Sequence, residues 1–132
     1  MISTYGLTHI ALGVRDPARS VRFYEQVFGA TVVYRSDGVI QAQTPGSRDV
    51  LVFEQVDGEV GTTGSIAHFG FRLVDPGDVG RAKEAVIRAG GAIVSEGEFV
   101  PGEPYLFCRD LDGYELEIWY ELPTTVDPGS GG

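Results

Sequence analysis

The chain has 132 residues, 42% of them hydrophobic and 22% charged, with a formal net charge of −9. That size and balance describe one globular domain with a real core and exclude a disordered chain. The acidic charge excludes nucleic acid and anionic membrane surfaces as partners, since both recruit basic patches, and no apolar run nears the roughly 20 residues needed to cross a bilayer.

Taken from the N-terminus, MISTYG has no basic segment followed by an apolar one, so a cytoplasmic location is expected. Residues 7–17, LTHIALGVRDP, then alternate as a strand. The bulky row Thr8, Ile10, Leu12 and Val14 is the side expected to pack on a helix, which leaves His9 on the opposite face with Leu7, Ala11 and Gly13. Asp16-Pro17 opens a helix that carries Val21, Tyr24 and Phe28 on one side and stops at Gly29. Three short strands follow, TVVYR, GVIQAQ and DVLVFEQ, separated by Asp37-Gly38 and Pro45-Gly46 turns. In the last of these Leu51 and Phe53 form the packing row, and Glu54 falls on the other face with Val50 and Val52.

The same layout then recurs. His68, Asp75 and Pro76 follow His9, Asp16 and Pro17 at one constant offset. In IAHFGFRLVDP the packing row is Ala67, Phe69, Phe71 and Leu73, so His68 again faces away, together with Ile66, Gly70 and Arg72. A second helix carries Val79, Ala82, Val86 and Ile87, and the strands AIVSE, EPYLFCR and YELEIWYE follow it. Leu116, Ile118 and Tyr120 make the packing row of the last strand, and Glu117 lies opposite with Glu115, Trp119 and Glu121. Glu115 and Glu121 read as exposed or rim charges. Each half is thus β-α-β-β-β: module 1 over about 5–56, module 2 over about 64–122, one domain over 1–125 and a flexible tail over 126–132. A unit of four strands and one helix covers only one face of its sheet, so two of them are expected to pair into a cup.

Duplication predicts that Glu54 and Glu117 hold comparable positions, although they lie slightly farther apart in the chain than the two histidines do. Insertions in the turns would absorb the difference. Two imidazoles and two carboxylates converging in such a space form a ligand set for one divalent ion per site, of Zn, Fe, Ni, Co or Mn. Without a cation, two buried carboxylates would repel. Glu54 has a second interpretation, as a solvated carboxylate on an edge strand. Cys108, the only cysteine, is expected to be a small buried filler, and it leaves no intramolecular disulfide to form. Tyr105, Phe107 and Trp119 are candidates to line the cup, as is Arg72, whose charge suits an anionic substrate group.

Three stretches, LTHIALGVRDPARSVRFYEQVFG, IAHFGFRL and RDLDGYELEIWYE, resemble the vicinal oxygen chelate superfamily of glyoxalases, bleomycin resistance proteins and extradiol dioxygenases. The likeness spans about residues 5–122, with Leu111 standing where relatives carry a proline. It implies an α+β fold of paired βαβββ modules forming a cup-shaped, mostly antiparallel sheet. His9, His68 and Glu117 are the implied metal ligands, with Glu54 the fourth in the glyoxalase branch. A homodimer with two sites, its strands exchanged or not, is also implied.

The activity expected from the resemblance is glyoxalase-type lyase or isomerase chemistry on a small molecule that chelates the metal through adjacent oxygens, with Glu54 or Glu117 as base. An Fe(II) extradiol dioxygenase is the alternative, although Phe107 and Phe53 stand where that branch carries a tyrosine and a histidine. A metal-free module that sequesters a cationic drug is the third possibility.

Overall fold

The computed structural model describes residues 1–132 apart from 4, 63, 126 and 128–132. Module 1 runs β1 (His9–Val14), α1 (Pro17–Phe28), β2 (Thr31–Ser36), β3 (Val39–Gln43) and β4 (Val50–Gln55). Module 2 runs β5 (Phe69–Arg72), a 3₁₀ turn (Pro76–Asp78), α2 (Val79–Arg88), β6 (Ala92–Glu98), β7 (Pro104–Arg109) and β8 (Glu115–Trp119). The strand orders are β1-β4-β3-β2 and β5-β8-β7-β6. The outer pairs β1–β4 and β5–β8 are parallel and the other ladders antiparallel. The architecture is therefore α+β, built from two βαβββ units. Each unit closes its own four-stranded sheet, and no ladder joins the two among the described residues.

Local chemistry sets the helix ends. The Asp16 side chain accepts from the backbone N–H groups of Ala18 (3.1 Å) and Arg19 (3.3 Å), Pro17 occupies the first turn, and Gly29 stops α1 at φ 69°. The twin Asp75 accepts from Gly77 N–H at 2.8 Å, but it caps the 3₁₀ turn that leads into α2. Both modules also carry an irregularity in the strand after the helix, between Val32 and Tyr34 in β2 and between Ile93 and Ser95 in β6. The extra residues, Val33 and Val94, are exposed.

Most of the expected packing rows are buried or partly so, but Thr8 and Ala67, which precede the regular strands, are exposed. Leu12, Val14, Leu51, Phe53, Leu116 and Ile118 are buried, while Ile10, Phe69, Phe71 and Leu73 pack against them partly covered. The core belongs to both modules at once: Tyr24 of α1 lies 5.1 Å from Phe53 and 6.3 Å from Phe71 between ring centroids, and Phe28 stacks on Phe71 at 3.9 Å. Cys108 is fully buried there, and burial pushes its thiol up to about 12, so it fills space and holds no thiolate.

A polar interlock accompanies this core. The Tyr24 hydroxyl donates to the buried Asp110 carboxylate at 2.7 Å, and Ser20 Oγ donates to Asp112 at 2.7 Å. Asp112 also accepts from Arg15 N–H at 3.3 Å, and the Tyr114 hydroxyl donates to the Gly13 carbonyl at 2.7 Å. Asp110 further accepts from the backbone N–H groups of Asp112 (3.0 Å) and Tyr114 (2.9 Å), which shapes the turn that Gly113 closes at φ 98°. Burial still raises the Asp110 pKa, ahead of the lowering by these donors. The RDLDG motif thus bolts α1 to module 2, and Leu111 packs against the shared core in place of the proline. Tyr24→Phe removes one of three donors from a buried carboxylate. A loss of about 1–3 kcal/mol in urea unfolding is expected, with no change in the two-module fold.

Candidate metal and substrate site

Because the helix-side rows are taken up by the common core, the opposite faces of the two sheets stay open, and they carry the candidate residues. On module 1, His9, Thr8, Ala11, Gln41, Val50, Val52 and Glu54 line one depression. His9 and Glu54 are exposed there. On module 2, His68 sits one residue before β5, and its Nε2 lies 3.0 Å from Glu117 Oε2 on β8. The two side chains are 34% and 14% exposed, so the pair is accessible from the open face.

The four donors expected to converge are therefore divided, with His9 and Glu54 on one sheet and His68 and Glu117 on the other. Among the described residues of one chain, no three histidine, cysteine, aspartate or glutamate side chains are grouped to hold a metal ion. The reason is the interlock: modules joined through their helix sides cannot also face one another with their open sides.

Strand register corrects a second expectation. Ala11 of β1 pairs with Val52, and its twin Gly70 of β5 pairs with Glu117. The counterpart of Glu117 is therefore Val52. Glu54 pairs with Gly13, whose twin Arg72 pairs with Trp119, so Glu54 corresponds to Trp119. The same register matches the core residues Leu51 to Leu116 and Phe53 to Ile118, an offset longer than the one that would join the two glutamates. Aligning those apolar rows, not the carboxylates, is the signal in the sequence that finds it.

The remaining candidates share the module 2 face. Tyr105 pairs with Trp119 and Phe107 with Glu117 across the β7–β8 ladder, so all four point the same way. The Phe107 ring meets His68 edge-on at 5.0 Å and Tyr105 at 5.5 Å, and Tyr105 stacks on Phe99 at 4.2 Å. Phe99 was not a candidate from sequence, since it lies in a turn with no strand pattern. Gly97 makes room for this aromatic floor, and Gly70 lies beside it. A Cβ on Gly97 would meet Tyr105 Oη at 2.9 Å, and one on Gly70 would come within 3.8 Å of Trp119 Nε1. Arg72 is on the same face, opposite Trp119. Phe53, by contrast, is wholly buried on the helix side.

The donor set suits a divalent ion: two imidazoles and a carboxylate on accessible faces, with an imidazole and a carboxylate already at 3.0 Å. Fold and sequence comparisons agree on the kind of protein. The family model described as the glyoxalase/bleomycin resistance protein/dioxygenase superfamily matches residues 6–118. Catechol-2,3-dioxygenase of Bacillus subtilis (strain 168) is 31% identical over 134 residues, covering 96% of this chain. The chain spans about half of that relative, 46% of its length. Among solved structures, a glyoxylase/bleomycin resistance protein/dioxygenase domain from Frankia sp. EAN1pec superposes with a TM-score of 0.74 at 26% identity, covering 89% of this chain and 98% of that one. The fosfomycin resistance protein FosX from Mesorhizobium loti shares the fold, with a TM-score of 0.71 at 22% identity over 90% and 94% of the two chains.

Proposed function

Since the chain belongs to the glyoxalase/bleomycin resistance protein/dioxygenase superfamily, we propose that it is a divalent-metal enzyme. Its protein ligands are His9, His68 and Glu117, drawn from two copies of the chain, and its substrate binds through adjacent oxygens. The observation that carries this is the His68–Glu117 pair at 3.0 Å on an open face, together with a twin face that offers His9 but has Val52 where the second carboxylate would stand.

Two copies are needed because one chain keeps the two faces apart. The open faces also expose apolar side chains beside the histidines. Leu7 is 98% exposed and Ile66, its twin in the second module, is 72% exposed. A two-fold dimer that sets module 1 of one chain over module 2 of the other covers both and yields two equal sites.

When bound, the ion supplies Lewis-acid stabilisation of negative charge developing on the substrate oxygens. The chain supplies the rest. Glu54 lies two residues past the ligand register on the same face of β4, roughly 7 Å along the strand, which supports a role for its carboxylate beside the substrate and not on the metal. It takes a proton from the carbon next to the carbonyl and returns it to a neighbouring atom, the chemistry of a glyoxalase-type isomerase or lyase. Phe107, Tyr105 and Trp119 keep water from that carbon and strengthen the electrostatics around it.

Metal analysis after dialysis against a chelator tests the ligand set. The parent protein and Glu54→Gln are expected to retain one ion per chain, and His9→Ala, His68→Ala and Glu117→Ala to lose it. Val52→Glu, which adds a carboxylate at the Glu117 register, is expected to hold the ion against at least tenfold more chelator. Retention by Glu117→Ala, or loss in Glu54→Gln, overturns the assignment.

The shared site has its own test. Mixing His9→Ala and His68→Ala chains through unfolding and refolding is expected to restore about a quarter of the metal sites, because half the dimers are mixed and each of those has one intact site. No recovery overturns the cross-chain site.

Dioxygenase activity is the second interpretation, favoured by the 31% identity to catechol-2,3-dioxygenase. It would use the same three ligands with Fe(II). The chain contains two histidines in total, both assigned as ligands, and its Phe53 and Phe107 supply no acid or base. Oxygen consumption with catechol and Fe(II)-loaded protein is therefore expected to stay at the level of Glu117→Ala. Uptake well above that level would replace the isomerase assignment.

A further inference from the structure

The aromatic floor on module 2 ends at a cation whose two-pronged partner comes from beyond the end of that module. Arg72 lies four residues past His68 on the same face, roughly 13 Å along the strand, with Gly70 between them leaving the floor free of a side chain. Its guanidinium grips the carboxylate of Asp127 with two prongs, Nη1 to Oδ1 at 2.5 Å and Nη2 to Oδ2 at 2.9 Å. Nη2 also donates to the carbonyls of Glu121 (3.3 Å) and Leu122 (3.4 Å), and Nε is 3.4 Å from the Glu121 carboxylate. Asp127 accepts in addition from Thr124 N–H at 2.8 Å and Thr124 Oγ1 at 2.7 Å. These donors, the Arg72 hydrogen bond first, hold the Asp127 carboxyl well below the usual carboxylate range, so it is an anion at neutral pH.

The segment bearing Asp127 follows β8 and is fastened to module 2 through Glu103 as well as Arg72. Leu122 N–H donates to Glu103 in the β6–β7 turn at 3.0 Å, and Asp127 meets Arg72. Most of 126–132, where a free tail was expected, lies outside the described residues, but Asp127 itself is held. A parallel two-pronged contact between guanidinium and carboxylate is the geometry by which arginine selects planar carboxylates. Arg72 remains 32% exposed in that grip, so an exchange can begin without unfolding a strand.

We propose that Arg72 is the subsite for a carboxylate at the far end of the substrate, and that Asp127 is an internal stand-in which the substrate displaces. The direction of the substrate rests on the metal assignment above: adjacent oxygens at the His68–Glu117 end, the body over Gly70 and against Trp119 and Tyr105, the carboxylate on Arg72. The substrate class is accordingly a carboxylic acid whose chelating oxygens and acid group are separated by a flat or extended body. The tail carboxylate competes for the same fork, which lowers apparent affinity by the fraction of time Arg72 is occupied and discriminates against neutral molecules that cannot displace it.

Trp119 is the only tryptophan and pairs with Arg72 across the β5–β8 ladder, so its fluorescence reports on the subsite. The full-length protein, stripped of metal, is titrated with succinate and, separately, with inorganic phosphate. Asp127→Asn and Asp127→Ala are each expected to bind succinate at least tenfold more tightly than the parent, and Arg72→Gln to abolish that gain in both backgrounds. Equal succinate affinity in the parent and both Asp127 variants would make Asp127 an anchor only and overturn the proposal. Arg72-dependent binding of phosphate without succinate would overturn the carboxylate assignment. No metal takes part, so this outcome and that of the ligand-set experiment are independent.

Discussion

The bond between α1 and the turn at 110–114 governs the rest of this structure. Tyr24 and Ser20 reach across from module 1 to Asp110 and Asp112, and the aromatic rings of both modules close around that contact. A buried carboxylate destabilises the fold unless its oxygens are satisfied, and here the donors come from both halves of the duplication. Neither module can shed the other without exposing apolar surface and stranding Asp110. The consequence of that arrangement is geometric: the helix sides are used to join the modules, so among the described residues neither module covers the open face of the other.

That constraint leaves the duplicated fold with two separate open faces. One face offers His9 and Glu54 among small and β-branched side chains, and the other offers His68 and Glu117 on an aromatic floor. The two faces differ at two registers. At the carboxylate register, module 2 has Glu117 where module 1 has Val52. One step farther along the same face of the last strand, module 1 has Glu54 where module 2 has Trp119. A face-to-face pairing of unlike modules therefore combines three donors, one additional carboxylate and one aromatic wall, which a pairing of like modules would not.

The aromatic floor and Arg72 give the site a direction. Gly97 is small where Tyr105 lies over it, and the row leads from the His68–Glu117 pair to a guanidinium that the chain's own carboxylate occupies. An acidic protein with a net charge of −9 does not attract anions over long range. A carboxylate is held here by short-range two-pronged contact instead, as Arg72 holds Asp127.

Much of this was legible in the linear order of residues. The constant offset between His9-Asp16-Pro17 and His68-Asp75-Pro76 revealed the duplication, strand parity put both histidines on the face away from the helices, and turn chemistry bounded the helices and strands. These are local properties, fixed by period, steric preference and capping within a few residues. Three things were not legible, because each depends on contacts between distant segments. The register of β4 against β1 made Val52, not Glu54, the counterpart of Glu117, since the lengths of intervening turns do not determine which residues pair. The irregularities at Val33 and Val94 shift strand parity without any mark in composition. The choice of helix sides as the junction between modules, which sets His9 and Glu54 on one open face and His68 and Glu117 on the other, was decided only when Asp110 and Asp112 met α1, remote from it along the chain and adjacent only in the folded molecule.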